Sequence, residues 1–161
     1  MAPRDEDLDK TPILLHPRIK VQMFKPGMDL FNEEKYFEAH EEWEKLWKME
    51  MGVDRTWLQG LIQVAGHYVL IGHHRYHASY RMALHALEKL SVSLSMTSVY
   101  RKFDLEPIVS GLHYNMQILA PHIGSYKSAD LGEDLKEQLG VPMGSEHKLD
   151  PGQFIYPKLF E

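Results

Sequence analysis

The chain has 161 residues, 43% of them hydrophobic, and a formal charge of −5 at pH 7. That fits one domain with enough apolar content to build a core, and the acidic excess argues against a nucleic-acid partner, whose phosphates are met by clustered lysine and arginine. Cysteine is absent, so disulfides and thiolate metal sites are excluded, any transition metal must be held by His, Asp or Glu, and a cytoplasmic location is the simplest expectation.

Residues 1–27 contain four prolines and no sustained periodicity, and they read as an N-terminal arm. The opening MAPRDEDLDK is charged where a secretory signal would be apolar. A first helix is expected to begin near Asp29 or Asn32, either of which can cap it, and to stop at Gly52. Asp54 is the expected N-cap of a second helix through Ile71, closed by Gly72 and apolar on nearly all sides, hence central. Thr56 to His74 is free of Lys, Arg, Asp and Glu, but its apolar part is shorter than the roughly 20 residues a membrane span needs. It therefore reads as a buried helix, and no membrane partner is expected.

A third helix from about Tyr76 to Met96 steps through Ala83, Leu87, Leu90 and Leu94, and a fourth begins near Asp104, takes Pro107 into its first turn and ends at Pro121. Four helices on short links predict an all-α, up-and-down bundle over residues 28–122. Residues 123–161 form a C-terminal region with a short helix around Asp130 to Leu139 and an extended tail. The tail's patch FIYPKLF is expected to pack on its own domain, with docking on a second subunit, and so a homo-oligomer, as the alternative. No internal repeat is visible in the sequence.

The stretch YFEAHEEWEKLW, Tyr36 to Trp47, concentrates the chemistry. At 3.6 residues per turn Tyr36, Phe37, Trp43 and Trp47 define an apolar side, His40 lies inside it, Glu44 follows four residues on, and Glu41 sits on the flank. Burying an imidazole and a carboxylate costs several kcal/mol unless partners replace their hydration. If the turn near Gly52 folds the first two helices against each other, His40 and Glu44 come opposite Gly60, Gln63 and His67, with Gln59 one turn away. Gly60 would then let the two backbones approach.

The runs FNEEKYFEAHEEWEKLW and RTWLQGLIQVAGHYVL together resemble the domain of unknown function family 309. Its signature pairs a helix carrying Phe, HE, a further Glu and Trp with a helix carrying LQGLIQ. The resemblance covers about Asp29 to Leu90 and rests on Phe31, Asn32, Phe37, His40, Glu41, Glu44, Trp47, Leu58, Gln59, Gly60, Ile62, Gln63 and Ala65. It implies a small all-helical bundle and brings no established activity. After the second helix the sequence departs from the pattern, with His73 and His77-Ala78 where the family has Asn and Gly-Ala.

Two functions fit the His/Glu constellation. In the first, a binding or structural module, Glu44 holds His40 while Gln59, Gln63 and Trp47 complete a polar network that fixes helix register or receives a small molecule. In the second, His40, Glu44 and His67 hold a divalent zinc, iron, nickel or manganese ion. Glu41 or Glu44 then acts as the catalytic base of a metal-assisted hydrolase, and Gln63 orients substrate or water. HEEWE lacks the second His of an HExxH helix, and the bundle helices lack the paired ExxH of di-iron carboxylate proteins. Buried polar groups are usually satisfied by one another, which favours the network.

Overall fold

The computed structural model describes residues 15–94, 98–123, 135–139 and 149–161. Regular structure among them is entirely helical: α1 (Pro17–Asn32), α2 (Tyr36–Trp47), α3 (Gly52–Gly72), α4 (Tyr76–Leu94), α5 (Glu106–Leu119) and the short α6 (Leu135–Leu139). Short 3₁₀ turns at Val99–Lys102, Ala120–His122 and Pro151–Gln153 complete the order. Successive helices pack on one another from α1 through α5. None of the described helices is long and apolar enough to cross a membrane.

The all-helical expectation holds, with one helix more than foreseen. The stretch read as an arm turns helical at Pro17, and the helix expected from Asp29 or Asn32 to Gly52 runs only from Tyr36 to Trp47: Asp29 and Asn32 belong to the last turn of α1, and Gly52 opens α3. Prolines argued against this, but each is accommodated. Pro17 occupies the first turn, where a missing N–H costs nothing, behind His16, whose Nδ1 accepts from Arg18 N at 3.1 Å. Pro26 lies inside α1 and forfeits one helical hydrogen bond. Burial of Phe24, Gly27 and Phe31 along the same helix outweighs that loss.

The α1–α2 and α3–α4 turns are built alike. Lys35 N–H reaches Leu30 O at 2.9 Å and Arg75 N–H reaches Leu70 O at 2.9 Å, while Glu34 and His74 hold the left-handed conformation with φ of 62° and 57°. Both are helix-ending turns in which one residue takes a conformation normally left to glycine or asparagine. Tyr36 and Tyr76 then stand at the same place, each buried at the start of the next helix. Two hairpins of one design therefore follow each other, although their sequences share too few identities for a repeat to be read from them.

The core sits around α3, which is buried almost continuously from Trp57 to Ile71. Phe24, Trp43, Trp57, Tyr100 and Phe103 form one aromatic layer, with Phe24 and Trp43 stacked at 5.3 Å. Trp43 Nε1 donates to Phe24 O at 3.1 Å, and Gly27 lies so close that a Cβ there would fall 2.3 Å from that nitrogen. Phe31, Tyr36, Tyr68 and Tyr156 make a second layer.

Gly60 does not serve the approach of α2 to α3. A Cβ on it would meet Leu90 at 2.8 Å, so it admits α4 instead. Asp54 is likewise no cap. Met51 occupies that position, and the Asp54 carboxylate accepts from Lys20 Nζ at 2.9 Å, Ser98 Oγ at 2.6 Å and Val99 N at 3.2 Å. Lys20 Nζ also lies 2.9 Å from Glu50, itself 1% exposed and bonded by the Tyr100 hydroxyl. This knot of one buried cation and two carboxylates ties α1 to the α2–α3 link, through Glu50, and to the first turn of α3, through the partly buried Asp54.

Candidate functional site

A cleft of about 430 Å³ opens between α2 and α3, with α6 at its edge. From α2 it takes His40, Glu44 and Trp47, from α3 Gln59, Ile62, Gln63 and Gly66, from α4 Met82, and from α6 Leu135 and Lys136. At about 100° per residue, positions 40, 44 and 47 make one narrow stripe on α2, and 59, 62, 63 and 66 span about a quarter-turn of α3. Helical spacing alone therefore brings most of the expected polar residues to one opening.

His40 is 7% exposed and Gln63 2% exposed, so both form the floor. His40 Nδ1 lies 3.9 Å from Glu44 Oε2, close enough for ionic attraction when the imidazole carries a proton on both nitrogens and too long for a hydrogen bond. The Glu44 side chain is 38% exposed and Gln59 is half-buried, which puts both at the mouth. Trp47 forms the rim, with the Arg55 guanidinium 4.0 Å above its ring. The Phe37 ring stacks on His40 at 6.0 Å and limits how the imidazole can turn.

Two expected residues stand elsewhere. Glu41, one position past His40, is rotated about 100° from it, so it is exposed and does not line the cleft. His67 lies just beyond the arc that faces the cleft and turns to the other side of α3. It is fully buried, with Nδ1 2.8 Å from Ser79 O and Nε2 3.3 Å from Asn115 Nδ2. A carbonyl can only accept, so Nδ1 carries the proton and Nε2 accepts from the asparagine. Burial, only partly opposed by the bond to Ser79 O, lowers its pKa from 6.5 to about 4.

The proposed triad of His40, Glu44 and His67 is therefore not brought together. Among the described residues no group of three His, Cys, Asp or Glu side chains is placed to hold a metal ion.

Residues 24–82 match the domain of unknown function DUF309. The resemblance carried by the α2 and α3 motifs is thereby supported, over a segment that starts within α1 and ends within α4. Every α2 and α3 residue of the cleft lies inside the DUF309 segment, as does Met82. Leu135 and Lys136, which supply the edge from α6, lie outside it. Neither a search of curated proteins nor one of solved structures returns a match.

Leu135, Lys136 and Met82 escaped the sequence reading because nothing local marks them. They reach the cleft only through tertiary packing. The Lys20–Glu50–Asp54 knot was missed for the same reason, although a lysine four positions before Phe24 on an apolar helix face was a usable signal once α1 was known to be helical.

Proposed function

We propose that the protein is a cytoplasmic binding module whose cleft receives a small polar molecule. The observation that carries this reading is the convergence of His40, Glu44, Gln59 and Gln63 from two helices on one opening large enough for a metabolite-sized ligand. Each glutamine offers both a donor and an acceptor, Glu44 accepts at the mouth, and the imidazole can do either. Trp47 supplies an apolar wall next to them. A compound with adjacent N–H and C=O groups and a small planar body fits this set better than a purely apolar one, because only a polar ligand can exchange hydrogen bonds with the amide, imidazole and carboxylate groups that line the opening.

The hydrolytic alternative rests on the same His40–Glu44 pair, which could give two donors to a divalent ion, with Glu44 as the only carboxylate lining the cleft among the described residues. It predicts stoichiometric zinc, iron, nickel or manganese in untagged protein, and a His40→Ala variant that remains folded but loses the metal.

The test is an NMR titration of the full chain with small amides, carboxylates and amines, alongside each of those four metal ions. The binding reading expects an amide-bearing compound to shift the Trp47 indole and the Gln59 and Gln63 side-chain amides, and expects Gln59→Leu to abolish the effect. It fails if none of the organic probes moves those signals, or if the Gln59→Leu protein responds unchanged. Saturable perturbation by a metal ion alone would favour the hydrolytic reading.

A further inference from the structure

The C-terminal tail crosses the bundle in an extended form, and its backbone is held by side-chain amides rather than by another strand. Asn32, at the end of α1, donates from Nδ2 to Leu159 O at 2.8 Å and accepts at Oδ1 from Leu159 N at 2.7 Å. Asn115, in α5, treats Ile155 the same way, donating to its carbonyl at 3.1 Å and accepting from its N–H at 2.8 Å. Each amide therefore satisfies both backbone groups of one tail residue, as a neighbouring strand would. Phe154, Pro157 and Leu159 point inward and are buried, while Ile155, Lys158 and Phe160 face out. Pro157 rests over Gly111, where a Cβ would come within 3.2 Å of the ring. At the far end Phe160 O accepts from Asp104 N at 2.8 Å, and the Glu161 carboxylate lies 3.3 Å from Lys25 and 3.5 Å from Lys102.

Asn115 is fully buried; its Nδ2 also reaches His67 Nε2 and the Tyr68 hydroxyl, each at 3.3 Å, but its Oδ1 accepts from Ile155 N, so a groove without an extended chain would leave that buried oxygen without this donor. The requirement is for a backbone in that shape, and the amides do not inspect which chain provides it. We propose that this groove is a peptide-recognition site, filled in cis by residues 149–161, for an extended segment of another protein. That segment carries an aromatic residue, a proline and a leucine at the spacing of Phe154, Pro157 and Leu159, followed by an acidic end. Its backbone would pair with Asn32 and Asn115, its three anchors would take the holes of the tail's anchors, and its acid would meet Lys25 and Lys102. The tail then acts as a competitor built into the chain, and a partner binds only to the fraction of molecules whose groove is open.

The test uses a fluorescent peptide of residues 149–161 and full-length chains. In a chain with Phe154→Ala and Leu159→Ala the cis tail is weakened, and the peptide is expected to bind about ten-fold or more tightly than to the unaltered chain. Adding Asn32→Ala should cancel the gain. Equal binding to the unaltered and weakened chains, or none to the weakened one, overturns the proposal. So does size exclusion showing that the tail is only traded between two copies of the chain.

Hydrogen exchange on the unaltered protein decides the matter should the substituted chain fail to fold. The Ile155 and Leu159 amides must exchange through a local opening, at least about ten-fold faster than the buried amides of α3. If they exchange only together with α3, the tail is part of the core and the groove is not a site.

Discussion

Lowering the pH should weaken this protein through His67, by an amount that its surroundings fix. The imidazole is fully buried, it faces Ser79 O, Asn115 and the Tyr68 ring, and its pKa falls from 6.5 to about 4. Between those values the unfolded chain binds a proton that the folded one refuses, so stability rises with pH across this window and is lost as pH falls through it. By pH 7.5 the group costs almost nothing. At pH 5 the linkage relation gives a loss of about 2 kcal/mol, growing to about 3 kcal/mol below pH 4.

Carboxylates elsewhere also titrate, so the effect is isolated by comparing the unaltered chain with His67→Gln. The variant keeps an N–H able to reach Ser79 O and has no proton to gain. Urea unfolding at pH 7.5 and pH 5 measures both. The stability difference between the two proteins should shrink by about 2 kcal/mol on acidification. An unchanged difference, or an NMR titration in the folded chain placing the His67 pKa near 6.5, would refute the burial argument.

Gly27→Ala should destabilise by about 3 kcal/mol, since its methyl would collide with the fully buried Trp43 indole and break its bond to Phe24 O; a melting temperature equal to the unaltered chain's would contradict this. Lys20→Met should cost about 3 kcal/mol, chiefly by leaving the buried Glu50 without its cation while the partly buried Asp54 keeps Ser98 and Val99, and adding Glu50→Gln should restore part of it. A double variant no more stable than Lys20→Met would show that the knot is not held by charge. Arg55→Ala removes the guanidinium from Trp47 and should cost under about 1 kcal/mol, while altering Trp47 fluorescence; a larger loss would mean that Arg55 bears on the fold.

Much of the site was legible because the α-helix is periodic. His40, Glu44 and Trp47 share one stripe of α2, Gln59 and Gln63 one stripe of α3, and a short turn between the helices makes the stripes face each other. The same periodicity carried the buried character of α3, the start of α4 at Tyr76 and the approximate span of α5, while the expected end of α4 at Met96 lies outside the described residues. It failed for His67, because a residue one turn past Gln63 sits at the edge of the arc, where a small rotation of the helix decides which side it serves. It failed for Gly60 too, since a glycine reports a close approach without naming the neighbour.

Local chemistry alone determined that the chain is helical, that α3 is central and that α2 carries a histidine and a glutamate toward it. Spacing and burial tendencies are properties of short segments, so they survive without knowledge of the rest. Tertiary structure decided that Pro26 stays inside a helix, that His67 turns to Asn115 and away from the cleft, that α6 edges the opening, and that two asparagines hold the tail. Each of these depends on contacts between residues far apart in the chain, and their energies exceed the local preferences that would have chosen otherwise.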